Sequence, residues 1–260
     1  MDKKPEEVKR NSKLEYLVSK YEKFIRELSD YYKAEELYSK LEFKNNEITS
    51  KDIEEFSFSY LLRNYQELYN FPGSGFYLSK LCNSSKDTEF TIHTIYFEKL
   101  IDYLGYKNNR KKIIINGNAG DVVGSCMKDG KITIKGNARY RVGGHMEGGE
   151  ITVLGNADDN VGEFMKSGEI TINGNAGFLA GGYMENGEIT INGNVGKCVG
   201  GFMKDGKITI KGNAGYWVGE GMENGEIYLN GDYESLGHLI HGGNIYHKGK
   251  LIVEEGRTIR

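Results

Sequence analysis

Three histidines near the C-terminus, His238, His241 and His247, form an H-x2-H-x5-H cluster. Neutral imidazoles are good metal ligands. No acidic or thiol fourth ligand sits at a suggestive spacing, so metal binding competes here with simple closure of the chain's last structural unit. A second group combines Arg139-Tyr140-Arg141 with Asp158-Asp159-Asn160. If the two segments stack, Arg139 faces Asp158 and Arg141 faces Asn160. Arg139, Arg141, Asp158 and Asp159 then form either a cross-coil ion pair or a polar patch able to bind a partner or a ligand carboxylate. Cys82, Cys126 and Cys198 are odd in number and widely separated, which reads as buried free thiols and not as a disulfide framework. No Ser/His/Asp order, carboxylate dyad or HExxH is visible. The G-x-x-G segments are not followed by a helix that could present its N-terminus to phosphate. The sequence therefore offers no catalytic residue and implies no cofactor.

These residues sit in a repeat. Gly117-Asn118 recurs at Gly136-Asn137, Gly155-Asn156, Gly174-Asn175, Gly193-Asn194, Gly212-Asn213 and, altered, Gly231-Asp232, always at the same 19-residue interval. Met127 through Met222 and Ile132 through Ile227 keep that interval. A fixed period of this length means stacked supersecondary units, each too small to bury its own apolar face. Ile132-Thr133-Ile134 and its equivalents alternate apolar and polar, as a strand with one inward face does. The Val123–Val218 and Met127–Met222 rows supply two further inward walls. Two glycine rows, one starting at Gly124 and one at Gly130, mark corners and exclude a helical solenoid.

Stacking at the ~4.8 Å strand spacing assigns roles to other rows. Asn118 through Asn213 form an amide ladder, each side chain donating to the next. Lys128, Glu147, Lys166, Glu185, Lys204 and Glu223 alternate in sign, as an exposed stack requires. Cys126, His145, Phe164, Tyr183 and Phe202 form an aromatic-rich row, with Tyr140, Phe178, Tyr216 and Trp217 nearby. The row is expected in the core; exposed, it would be a docking strip. In the last coil, at the same interval, Gly219 becomes His238, Met222 becomes His241 and Gly225 becomes Asn244, the irregularity of a terminal cap.

Of 36 glycines, 33 follow residue 110, while both prolines precede it, so two architectures are joined end to end. Before that boundary, Leu14, Leu17, Val18, Tyr21, Phe24, Ile25 and Leu28 have helical spacing, continued by Leu37, Tyr38 and Leu41. Thr49-Ser50-Lys51-Asp52 offers an N-cap for a further helix carrying Ile53, Phe56, Tyr60, Leu61, Tyr65 and Leu68. The segment Asn70–Gly75 is expected to break it. Glu89–Tyr106 is ambiguous, with strand-like Thr91, Ile92, Thr94 and Ile95 and helically spaced Phe97, Leu100, Ile101 and Leu104. The helices either dock on the solenoid end, pair with a second copy, or receive a partner subunit.

A net charge of −3, balanced across both halves, argues against nucleic-acid binding. No run approaches a membrane span, and MDKKPEEVKR is not followed by the apolar segment of a secretory signal. A cytoplasmic location is expected.

The Gly117-x-x-Gly120-x-x-x-Gly124 pattern recurs at Gly174/Gly177/Gly181, Gly193/Gly196/Gly200 and Gly212/Gly215/Gly219. It resembles the GXGXG repeat domain found at the C-terminal end of the large subunit of glutamate synthase. The same domain forms the subunit of formylmethanofuran dehydrogenase that lacks the metal centres. Arg139 and Asp158 depart from the second glycine of that motif. The resemblance implies a single-stranded right-handed β-helix of about seven coils and a structural role beside catalytic subunits. The expected protein is mostly β, with an α-helical region at 1–110 and a β-helix domain at 111–260 whose capping coil starts at about residue 231. The expected function is a non-catalytic scaffold or interaction protein whose partners are oxidoreductase subunits or itself. The alternative is an enzyme or sensor with a metal or small-ligand site at the His-rich end or at the helical–solenoid junction.

Overall fold

The computed structural model describes residues 12–28, 31–43, 48–61, 73–95, 97 and 99–259. Among the described residues, four helices precede the strands: α1 (Ser12–Arg26), α2 (Tyr31–Lys40), α3 (Ser50–Glu55), which runs on as a π-helical turn over Phe56–Leu61, and α4 (Gly73–Ser84). Eleven strands follow in one sheet whose spatial order is the order of the chain. They are β1 (Glu89–His93), β2 (Lys111–Asn116), β3 (Gly130–Ile134), β4 (Glu150–Val153), β5 (Glu169–Ile172), β6 (Glu188–Ile191), β7 (Lys207–Ile210), β8 (Glu226–Leu229), β9 (Asn244–His247), β10 (Lys250–Glu254) and β11 (Arg257–Thr258). The pairs from β1 to β9 are all parallel, which makes a β-solenoid of about eight turns.

Between β2 and β8 every residue pairs with its equivalent one repeat on, as Ile132 with Ile151 and Ile151 with Ile170. The Ile, Val and Met rows are buried throughout and form one continuous core. The corner glycines are required by that core. Gly181 has φ +70°, and a Cβ there would collide with the Ile208 side chain that fills the next coil but one. A side chain is excluded on both grounds.

The solenoid starts one coil before the expected boundary at residue 110. β1 pairs with β2 through Phe90↔Ile113 and Ile92↔Ile115, a longer interval than the repeat. The additional residues lie before Ile101, because from there the 19-residue register already holds: Tyr103, Gly105 and Lys107 take left-handed φ values of 59°, 74° and 52°, as do Val122, Gly124 and Cys126. Ile101 and Leu104, whose spacing is also helical, are buried in this first coil together with Tyr106. The last coil is one residue short instead, for Glu226 pairs with Asn244 and Val218 bridges Leu236. Gly237, Ile240 and Gly243 therefore occupy the places of Gly219, Met222 and Gly225, not His238, His241 and Asn244. β10 and β11 then turn back antiparallel and close the end.

The helices close the other end. Thr49 and Asp52 form a reciprocal capping box at α3. Tyr106 donates its hydroxyl to Glu35 Oε1 at 2.6 Å, Tyr77 donates to the Leu17 carbonyl at 2.7 Å, and Asn83 Oδ1 accepts from the Asn109 N–H at 3.1 Å. Gly73 and Gly75 open α4, and the stretch before them, where the preceding helix is expected to end, lies outside the described residues. A Cβ on Gly75 would collide with the Asp102 carbonyl, so glycine is what lets α4 lie directly on the first coil. Residues 65, 68 and 70–72 lie outside the described residues. Among the described residues, no helix is long and apolar enough to cross a membrane.

Candidate interaction surface

Each coil turns its corner through two consecutive tight turns, illustrated by Gly144 N–H to Arg141 carbonyl (3.2 Å) and Met146 N–H to Gly143 carbonyl (3.1 Å). The turns place two side-chain rows outside. One row is Val122, Arg141, Asn160, Leu179, Cys198 and Trp217, with φ between 57° and 66°. The other is Cys126, His145, Phe164, Tyr183 and Phe202, with φ between 54° and 57°. Left-handed backbone costs a non-glycine residue roughly 1–2 kcal/mol, and the second row reaches Gly221 in the next coil, where that cost is absent.

The second row is therefore outside the core, contrary to the sequence expectation. Phe164 is 37 % and Phe202 46 % exposed. Because the coils are in register, the rings stack face to face: His145–Phe164 at 4.9 Å, Phe164–Tyr183 at 5.0 Å and Tyr183–Phe202 at 5.0 Å, with interplanar angles of 8°, 17° and 9°. Tyr140, Phe178, Tyr216 and Trp217 are also exposed, and Lys197 lies over the Trp217 ring at 5.5 Å. The sequence did carry a signal for this. Interior rows are chemically uniform, whereas this one runs Cys, His, Phe, Tyr, Phe, Gly.

The alternating charge row flanks the rings. Lys166 lies 4.0 Å from Glu147, and Lys204 lies 3.4 Å from Glu185, all four half exposed. The asparagine ladder is present with a different donor. The backbone N–H of Asn137 donates to Asn118 Oδ1 at 2.8 Å, and the contact repeats coil by coil to Asp232. The side chains accept, because the N–H at this corner points along the stack.

The arginine–aspartate group comes together with altered partners. Arg139 Nε lies 3.4 Å from Asp121 and 4.0 Å from Asp158, so it bridges the coils on both sides. Arg141 reaches Glu163 at 2.9 Å, not Asn160, since a left-handed residue directs its side chain across the neighbouring glycine row. Glu163, only 8 % exposed, replaces one of those glycines and has its charge neutralised there. Asp159 Oδ1 accepts the Phe178 N–H at 2.9 Å. Asp102, in the coil below, accepts the Asp121 N–H at 2.7 Å, while burial raises its carboxyl above the usual range.

The three histidines have separate surroundings. His238 has a 79 % exposed ring 3.7 Å from Glu220, His241 is exposed, and His247 packs edge-on against Tyr233 with Asp232 at 3.8 Å. Among the described residues, no group of three or more His, Cys, Asp or Glu side chains could hold a metal ion. Cys82 is buried and its thiol is pushed up to about 12 by desolvation; Cys126 and Cys198 are only half buried, in the two outer rows. A shallow basic groove runs beside Arg110, Lys112 and Lys131, whose charges pair with Asp129, Glu89 and Glu150. Lys111, also there, donates to the carbonyls of Ser85 and Asp87.

No protein-family model matches this sequence, and no curated protein matches it significantly. The geometry carries the reading. Stacked rings at strained, exposed positions can bury apolar area against another surface. Beside them, Lys166 and Lys204 lie near Glu147 and Glu185 of the preceding coils.

Proposed function

We propose that this protein is a non-catalytic β-helix scaffold that works by binding proteins along its aromatic face. The exposed stack of His145, Phe164, Tyr183 and Phe202 is the observation that carries the reading. Aromatic residues dominate the energetic centre of protein interfaces, and a rigid in-register stack presents them without further ordering cost. The resemblance to the GXGXG domains of glutamate synthase and formylmethanofuran dehydrogenase adds the setting: a structural member of a cytoplasmic, multisubunit oxidoreductase. Purification from the native cells under mild conditions tests this. The chain is expected in a stoichiometric assembly that Phe164→Ser with Phe202→Ser disrupts. A lone monomer in those cells overturns the reading.

A further inference from the structure

The aromatic face and the charge row beside it share a symmetry. The charge row has six members of alternating sign, Lys128, Glu147, Lys166, Glu185, Lys204 and Glu223. Let a second, identical face approach with its stack running the opposite way, about a two-fold axis crossing between the coils of Phe164 and Tyr183. Lys166 then faces the other copy's Glu185, Glu147 faces Lys204, and Lys128 faces Glu223. Every cross-copy pair is opposite in sign. The same axis places Phe164 on Tyr183 and His145 on Phe202, because the four stacked rings are centred on the same point. A slip by one coil, ~4.8 Å, brings Lys166 to Lys204 and Glu185 to Glu185, so every fully overlapping pair becomes like-charged. Charge thus excludes slips by an odd number of coils, the centred register makes more opposite-sign pairs than a slip by two, and the rings supply the area.

The strand side of the solenoid lacks this property. Its outward row runs Lys131, Glu150, Glu169, Glu188 and Lys207. The same reversal sets Glu150 against Glu169. Like charges on facing surfaces oppose association, so the two sides are not equivalent candidates. Dimensions agree as well. Six coils give a strip roughly 25 Å long, and a standard interface of ~800 Å² per partner is a patch roughly 28 Å on a side. Isologous two-fold dimers are the commonest closed assembly, and such an interface must be self-complementary.

We propose that the aromatic face binds a second copy of this chain, antiparallel, with its charge row pairing Lys to Glu across the two-fold axis. The proposal rests on the scaffold reading and names that scaffold's first partner. A pair of charge variants tests it. Lys166→Glu with Lys204→Glu makes one face acidic, and Glu147→Lys with Glu185→Lys makes another basic. In sedimentation equilibrium of pure recombinant protein, the wild type is expected at twice the chain mass. Each variant alone is expected at the monomer mass, with dimer affinity lowered at least tenfold, and an equimolar mixture regains the doubled mass. Recovery on mixing requires both variants to be folded, so misfolding cannot mimic it. A monomeric wild type, variants that dimerise as the wild type does, or a mixture that stays monomeric overturns the proposal. If the pure chain is monomeric while the native assembly holds other subunits, self-pairing falls and the scaffold reading stands.

Discussion

Aromatic residues are gathered in two places, and the two collections obey different rules. In the helical cap and at its seam with the first coil, Tyr21, Tyr38, Phe56, Phe76, Tyr77 and Tyr106 are buried, and most of their rings meet edge to face, as at Tyr21–Phe56 (74°), Tyr21–Tyr77 (70°) and Tyr38–Tyr106 (88°). That is the geometry a ring quadrupole prefers when packing is free to choose. On the solenoid, the rings from His145 to Phe202 are nearly parallel and partly exposed, because the 19-residue register dictates where each ring lies. The cap uses aromatics to fill a volume. The solenoid holds them at a surface, on backbone that glycine would occupy with less strain.

The contrast breaks most visibly in the cap. Phe76→Ala removes a fully buried ring that stacks on Tyr103 at 4.5 Å and meets Tyr106 at 4.6 Å. A loss of about 3–5 kcal/mol is expected, read as a lowered denaturant midpoint. A loss below about 1 kcal/mol would mean that the cap is not packed on the first coil.

The ladder is expected to respond far less. Tyr183→Ala forfeits two ring stacks, about 0.5–1.5 kcal/mol each. Tyr183→Gly forfeits the same stacks but relieves the left-handed backbone, regaining about 1–2 kcal/mol. The alanine variant should therefore be less stable than the glycine variant, which should lie within about 1 kcal/mol of wild type. Equal and large losses in denaturant titrations would assign Tyr183 to the core.

The smallest effect concerns the seam between cap and solenoid. The Tyr106 hydroxyl and the Lys107 ammonium hold Glu35 below the ordinary glutamate range. A lowered folded value means stability that is present above the unfolded pKa and lost as pH falls through the folded one. Because the Glu35 side chain is 41 % exposed, solvent screening keeps the contribution below about 1 kcal/mol. Glu35→Gln is expected to flatten the acid limb of the stability curve, with the two proteins converging at low pH. Parallel curves throughout would show that the carboxylate adds nothing there.

Most of the solenoid was legible because its interior rows are uniform. Ile, Val and Met recur almost without exception at sites where one volume is allowed, and the corner glycines recur where a Cβ would meet those side chains. The first coil was hidden by an insertion before Ile101, although Leu104-Gly105 stands one full repeat before Val123-Gly124. In the last coil a single missing residue shifts the apparent register, so His238 seemed to replace a glycine that Gly237 supplies. Gly73 and Gly75 read as turn formers by propensity; that Gly75 also lets α4 lie against Asp102 is a tertiary contact that no local pattern shows. The position of the ladder could not be read from period alone, since inward and outward rows share it. What separates them is the left-handed backbone at His145, Phe164, Tyr183 and Phe202, and that arises from corner geometry rather than from residue type.

The most direct test of the account is one triple variant, Phe164→Ala, Tyr183→Ala, Phe202→Ala, measured by circular dichroism and sedimentation together. The solenoid's β signal and cooperative melting should persist while association with any partner, including a second copy, is lost. Collapse of the β signal, or association at wild-type strength, would contradict it.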